Sequence, residues 1–410
     1  SFITLFLFSF AYGLYAFVIP LSFCIGIIFY ALYFLPKQLS LFRNNERYPE
    51  LLGLSSNSLA IRKLVSLAVC FSLFVFTFAE LQGFQLFLVK LLGNEPLGAV
   101  LIPLGLVFLI AIYTSQCGYR AVISNDRIQL NLIRLGSVAI LGLVVYAMVQ
   151  ALDGRPLNEL LEVFQISFSP IALSSASTII LFIVESLIGF LFSQLLYYDN
   201  WQRLSFFVSE QSKNGISSSV LLANIRSNYL KGSGELFLIY TVPIVLGLSL
   251  RSVGKQGSID TLADFFVHSW SNIPIPVVGP IAVILALLFM VNALVSTAEV
   301  YIIGIVNSVM EDIFGLIDKN SSDGTQEADK RELYGARILT FLVCMAFLPL
   351  VLIQPNFEQL FNYMFYSANG LVGPLTMAVL GKAKSPRVIL ACIGFGLIYP
   401  AVPSLWPALG

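Results

Sequence analysis

The sequence predicts an all-α membrane protein, a polytopic bundle of about ten to eleven transmembrane helices, and three observations carry that prediction. Apolar stretches of about 20 residues recur along the whole chain, the length a helix needs to cross a ~30 Å hydrocarbon core. The 410 residues are 57% hydrophobic and only 11% charged, with a mean hydropathy of +0.86, too little polar surface to cover a water-soluble domain. The basic residues alternate between connections in the way that fixes membrane orientation.

Hydropathy, bounded by Gly, Pro and charge clusters, places spans at 11–35, 64–93, 97–117, 126–151, 171–196, 218–250, 278–311, 334–353, 358–381 and 387–409. Residues 1–10 read as the end of a further helix, so the chain is expected to start inside the bundle. Lys37, Arg43, Arg47, Arg62 and Lys63 follow the first span; Arg120 and Arg127 follow the third, with Arg134 at the start of the fourth. Arg203, Lys213, Arg226 and Lys231 follow the fifth, Lys319, Lys330, Arg331 and Arg337 the seventh, and Lys382, Lys384 and Arg387 the ninth. Only Lys90, Arg155, Arg251 and Lys255 fall on the other side. A wrong division into spans would have scrambled this bias, which puts the basic face in the cytoplasm and the end of the last span outside.

Several function classes are disfavoured. Cys24, Cys70, Cys117, Cys344 and Cys392 are scattered through apolar segments with neither a pairing rhythm nor metal-ligand spacing. The single histidine, His268, reads as a loop residue in ADFFVHSWSN, which argues against a histidine-based metal or catalytic centre. Acidic tails, low-complexity tracts and basic patches suited to nucleic acid are absent. A membrane-embedded enzyme has no nucleophile motif or His/Cys/Asp cluster to support it.

Ionisable residues inside spans are functional candidates, because leaving one unpaired at mid-bilayer costs roughly 2.5–3.5 kcal/mol. Glu80, Asp126, Glu185 and Glu299 qualify, each weighed against local pairing or an interfacial position. The segment VNALVSTAEVY is the most informative. Ala293, Ser296 and Thr297 stand at i, i+3 and i+4 and share a helix face, offering two hydroxyls and, where the backbone is open, a carbonyl. Such hard oxygen ligands suit a small hard cation such as sodium, although Ser and Thr in membrane helices more often bond back to the preceding turn. Gly13 and Pro20 early in the chain, and Gly370, Gly373 and Pro374 late in it, stand where discontinuous helices would need them.

Four stretches, in order, resemble the sodium/solute symporter family. GYRAVISNDRIQ resembles its Gly-x-x-Ala-Val-x-x-Thr-Asp-x-x-Gln segment, with Asp126 and Gln129 kept and Asn125 where Thr is usual. YYDNWQRL ends in Gln202 and Arg203, like the family's Gln-Arg pair. NALVSTAEVY is similar to its Ala-x-x-Ser-Thr/Ser-Ala-Asp-Ser signature and is followed by Asp312, Ile313 and Phe314, like its Asp-Ile-aromatic ending. YSANGLVGPLTMAVLG resembles its Gly-x-x-x-Pro stretch.

The resemblance implies the five-plus-five inverted-repeat fold of the leucine transporter, as one transporter domain over 1–410. About 1–151 would be the first repeat, N-terminally incomplete, about 171–382 the second, and 387–409 an additional span. Most of the first core helix would fall upstream of Ser1. It implies sodium-coupled symport of a small polar solute, with sodium as coupling ion, no organic cofactor and no other metal, in an integral protein of the bacterial inner membrane. Ala293 (carbonyl), Ser296 and Thr297 would form half of a sodium site, completed by carbonyls upstream of Ser1; Asp126 and Asn125 would serve a second ion or coupling. Substrate-facing candidates by position are Ser193, Gln194, Tyr197, Tyr366 and Asn369. Glu299 and Val300 replace the family's Asp-Ser, and Pro20 stands where sugar-transporting members carry Glu, which argues against a sugar. A sensory input domain of a signalling protein and a proton-coupled carrier stand as alternatives; the solute, stoichiometry and oligomeric state are left open.

Overall fold

A computed structural model describes residues 2–43, 51–52, 57–93, 100–152, 176–192, 217–252, 257–273, 277–315, 326–349, 370–380 and 385–398, with Gln194, Lys255 and parts of 200–208 besides. Every regular element among them is helical: α1 (Phe2–Tyr12), α2 (Val18–Phe29), α3 (Leu35–Arg43), α4 (Leu59–Leu91), α5 (Ile102–Leu152), α6 (Ala176–Leu191), α7 (Ser218–Ser252), α8 (Ile259–Asn272), α9 (Val278–Ser308), α10 (Gln326–Met345), α11 (Val372–Val379) and α12 (Pro386–Ile398). Five stretches are long and apolar enough to cross a bilayer: Phe2–Leu41, Leu59–Leu91, Asn125–Gln150, Ser219–Ser252 and Val278–Ile313. Large side chains such as Leu141, Val145, Ile180 and Ile188 remain exposed, as a surface facing lipid allows.

The first of these stretches is not one span. A 40-residue helix would measure about 60 Å, twice the hydrocarbon core. The chain instead reverses between α1 and α2. Phe6 and Ser9 meet Gly247 of α7, and Phe10 meets Gly257 beyond its C-terminus. Ile19 then packs with Ile244 and Leu248, the Phe23 ring lies 5.4 Å from Tyr240, and the Tyr30 ring lies 5.3 Å from Tyr229. So α1 runs up α7 and α2 runs back down it. The turn is a 3-10 segment, Gly13–Phe17, opened by Gly13 at φ 57°, a conformation that costs glycine little and other residues much. Pro20 falls in the first turn of α2, where its fixed φ is tolerated. A π turn, Tyr30–Phe34, joins α2 to α3.

Two expectations are corrected. The separate spans 97–117 and 126–151 are parts of one 51-residue helix, α5, because GYRAVISNDRIQ contains no proline and only one glycine to interrupt it. The loop around His268 is helix α8. Ser258 caps it, its Oγ accepting from the Thr261 N–H at 3.2 Å, and Asp260 in the first turn suits the positive end of the helix dipole. Helix α3 starts at the last residue of the predicted span 11–35 and lies beyond it, and α10 begins at Gln326, ahead of 334, while the remaining described helices fall within the predicted spans or overrun them by a few residues; much of 358–381 and the end of 387–409 lie outside the described residues.

Helix α9 is the centre of the bundle, packing against α4, α5, α8 and α10. One core cluster joins α1, α4, α5, α7, α8, α9 and α10 around Phe6, Phe78, Phe87, Leu246, Phe266 and Phe289. A second, around Tyr30, Leu35, Leu73, Ile305 and Leu375, joins the π turn, α3, α4, the start of α7, α9, α11 and α12. α9 and α5 run antiparallel: Val122 clusters with Val300 and Ile303, while Gly136 lies against Leu285 and Phe289. Gly136 permits that approach, since a Cβ there would lie 2.5 Å from the Leu285 carbonyl oxygen. The far end of α9 is held by an ion pair: Arg62 of α4 donates through Nε (3.0 Å) and Nη2 (2.8 Å) to Oδ1 of Asp312, whose side chain is fully buried.

Gly136→Leu is expected to lower stability by about 1–3 kcal/mol or more through overpacking. Gly142→Ala, on the same helix with open space where its Cβ would stand, is expected to be neutral or slightly stabilising. Thermal unfolding of both variants in detergent checks the contrast.

Candidate functional site

The α9 face read from the sequence does line a cavity. A space of about 380 Å³ is walled by Ala293, Ser296 and Thr297 of α9, Glu80 and Phe84 of α4, Asp126 and Ile133 of α5, Phe2 and Leu5 of α1, and Ile239, Tyr240 and Pro243 of α7, with Arg203 at its edge. Four helices distant in sequence thus present their polar residues to one volume.

Each polar group is already oriented. The Thr297 hydroxyl donates to the Ala293 carbonyl at 2.9 Å, the back-bond usual for a helical threonine. The Ser296 hydroxyl donates to Oδ1 of Asp126 at 3.3 Å, and Nη1 of Arg203 donates to Oδ2 at 2.8 Å. With both hydroxyl protons engaged, the oxygens of Ser296 and Thr297 keep lone pairs for the cavity. Pro243, lacking an N–H, removes the ordinary helical partner of the Ile239 carbonyl, and both residues line the same wall. Within a mostly apolar lining, these oxygens form a small cluster of hard acceptors of the kind that holds a hard cation.

One turn from Ser296, Glu299 points into the α5–α9 interface and is completely buried. Gln129 Nε2 donates to its Oε1 at 3.4 Å. Asp126–Ser296 and Gln129–Glu299 thus form two adjacent polar contacts between the same helices. Elsewhere, Arg134 of α5 pairs with Glu235 of α7, positions neighbouring the cavity-lining Ile133 and Leu236.

Of the residues singled out from the sequence, Ala293, Ser296, Thr297, Asp126 and Glu80 come together at the cavity, and Asn125 is half-buried beside Asp126. Glu185 is exposed on α6, while Phe182 and Phe190 of the same helix pack against Tyr12 of α1 and Phe23 of α2. Gln194 is buried and accepts a hydrogen bond from Asn200 instead of lining the cavity. Ser193, Tyr197, Tyr366 and Asn369 lie outside the described residues. The α7 wall of Ile239, Tyr240 and Pro243 was not anticipated; the proline inside an apolar run was its only sequence signal.

No protein-family model matches the chain, and no curated protein does. Among solved structures, the chain is similar to a Na+-coupled sialic acid symporter captured in a substrate-bound outward-open state. The likeness has a TM-score of 0.53 at 16% identity and covers 97% of this chain and 89% of that one. The two chains share a fold, that of a polytopic helical membrane protein, over nearly their whole lengths.

A double-mutant cycle of Asp126→Asn and Arg203→Gln is expected to give a coupling energy of about 1–2 kcal/mol, as for a partly buried charge-assisted hydrogen bond. Additive effects on unfolding would dissolve the pair as an interacting unit.

Proposed function

We propose that this protein is a secondary transporter that couples inward movement of a small polar solute to sodium, working by alternating access around the α9 cavity. The observation carrying this reading is that Ala293, Ser296 and Thr297, picked from the sequence as a hard-cation face, line the same cavity as α1 and Asp126. The shared fold with a Na+-coupled symporter supports it. On this reading the sodium ion meets the Ala293 carbonyl and the Ser296 and Thr297 hydroxyl oxygens, with Asp126, beside Asn125, serving a second ion or the coupling. Residues 1–151 and 171–382 then correspond to the two halves of an inverted repeat.

The energetics are adequate. One charge crossing 100 mV releases about 2.3 kcal/mol, enough to hold roughly a 50-fold solute gradient before any sodium gradient is added. Sodium shifts the population of outward-open molecules only as far as its affinity differs between states. A cation bridging α9 to neighbouring helices gains ligands in one arrangement and loses them in the other.

The test is thermal stabilisation of the full chain in lipid against amino acids, carboxylates, sugars and polyamines, with sodium or potassium. Stabilisation by a solute only in sodium is expected, and Thr297→Ala should weaken apparent sodium affinity by about tenfold or more without loss of fold. Equal behaviour in sodium and potassium, or unchanged sodium affinity in Thr297→Ala, overturns the assignment.

A further inference from the structure

The cavity has a second polar wall, on α4, that the proposed sodium site leaves unused. Glu80 and Phe84 stand at i and i+4 on that helix, so they share one face, and both line the volume. Their depth follows from two contacts. Arg62 of α4 meets Asp312 of α9, and the Phe76 ring lies 5.7 Å from that of Tyr301, so the two helices run antiparallel. Glu80, one turn past Phe76, therefore comes level with Thr297, one turn before Tyr301, and Phe84 comes level with Ala293.

The described lining carries two acidic side chains, Glu80 and Asp126, and one basic one, Arg203. Arg203 donates to Oδ2 of Asp126 at 2.8 Å, which leaves Glu80 as the acidic side chain in excess. A solute carboxylate would meet two acidic groups here, while the lining cation is already held by Asp126. Hydrogen-bonding character is equally one-sided. The hydroxyl protons of Ser296 and Thr297 are engaged by Asp126 and by the Ala293 carbonyl, and the Ile239 carbonyl loses its helical donor because Pro243 has no N–H. The remaining wall is aromatic: Phe84, Tyr240, and Phe2 with Phe289, whose rings stand 5.3 Å apart at 71° and form an apolar corner.

Resting on the transporter reading, we propose that the solute is a small organic cation, a protonated amine, whose ammonium group binds between Glu80 and the Phe84 ring. Each part of such a molecule finds its complement. The positive charge meets Glu80, and the face of an aromatic ring attracts a cation within about 6 Å of its centroid. The ammonium N–H groups find acceptor oxygens on the lining, and the hydrocarbon part fills the Phe2–Phe289 corner. A volume of about 380 Å³ suits a small molecule. Sodium and the amine thus use different walls, the hydroxyl face of α9 for the ion and the α4 face for the ammonium group.

Thermal stabilisation of the full chain in lipid, at neutral pH in sodium or potassium, compares four small probes: cyclohexylamine, cyclohexanol, cyclohexanecarboxylate and the zwitterion leucine. In sodium, cyclohexylamine is expected to bind at least about tenfold tighter than the other three. Glu80→Gln, which keeps the size of the side chain, should weaken amine binding about tenfold or more. Phe84→Leu should weaken it about threefold or more. If either variant fails to fold, the wild-type ranking of the four probes decides. A sodium-dependent response to the carboxylate, the alcohol or leucine, with none to the amine, refutes the cation class and leaves the transporter reading standing. An amine response that is the same in sodium and potassium keeps the amine site and refutes sodium coupling. Amine binding unchanged in Glu80→Gln overturns the site. A response to none of the four overturns the proposal, and a fall in sodium affinity in Glu80→Gln would then assign Glu80 to the ion.

Discussion

The close antiparallel packing of α9 on α5 is the contact on which the rest of the site depends. Gly136 leaves no Cβ where α9 passes at Leu285 and Phe289, and the same two helices meet through two polar contacts, Asp126–Ser296 and Gln129–Glu299. In lipid, burying apolar surface gives no reward for joining two helices, so small residues and polar contacts carry the specificity. Here they also fix which faces of α9 look into the cavity and which into the protein.

The charged residues divide by environment. Asp312 is fully buried and is met by two nitrogens of Arg62, an arrangement that stabilises only while both partners remain. Asp126 is held by one guanidinium nitrogen and one hydroxyl at the edge of a cavity, where an ion or solute can reach it. Glu299 is the extreme case, buried with an amide as its partner and no cation. These three carboxylates thus have three surroundings: a buried ion pair, a cavity wall and a buried amide contact.

The cavity also depends on α1 and α7, which share no motif with α9. The reversal at Gly13 lays α1 along α7 and brings Phe2 and Leu5 to the same wall as Ile239 and Tyr240. Pro243 then leaves a backbone carbonyl at that wall without its usual helical donor. Discontinuous or proline-bearing helices beside a cavity are tolerated in a bilayer because the cavity itself can satisfy the backbone.

The sequence alone determined the solvent and the helical class, since bilayer thickness dictates the length of apolar runs. It also located the hydroxyl face of α9, because i, i+3 and i+4 spacing is local geometry. It misread two connections. GYRAVISNDRIQ looks polar enough for a loop yet has no residue that breaks a helix, and the segment around His268 hides a capped helix behind a polar composition. The pairings of Asp126 with Arg203, Arg62 with Asp312 and Gln129 with Glu299 join residues 77, 250 and 170 positions apart. No periodicity encodes such distances. Only the tertiary structure decided that Glu80 and Asp126 share a cavity while Glu185 faces outward and Glu299 lies buried, because an isolated carboxylate in an apolar run looks the same until the neighbouring helices are in place.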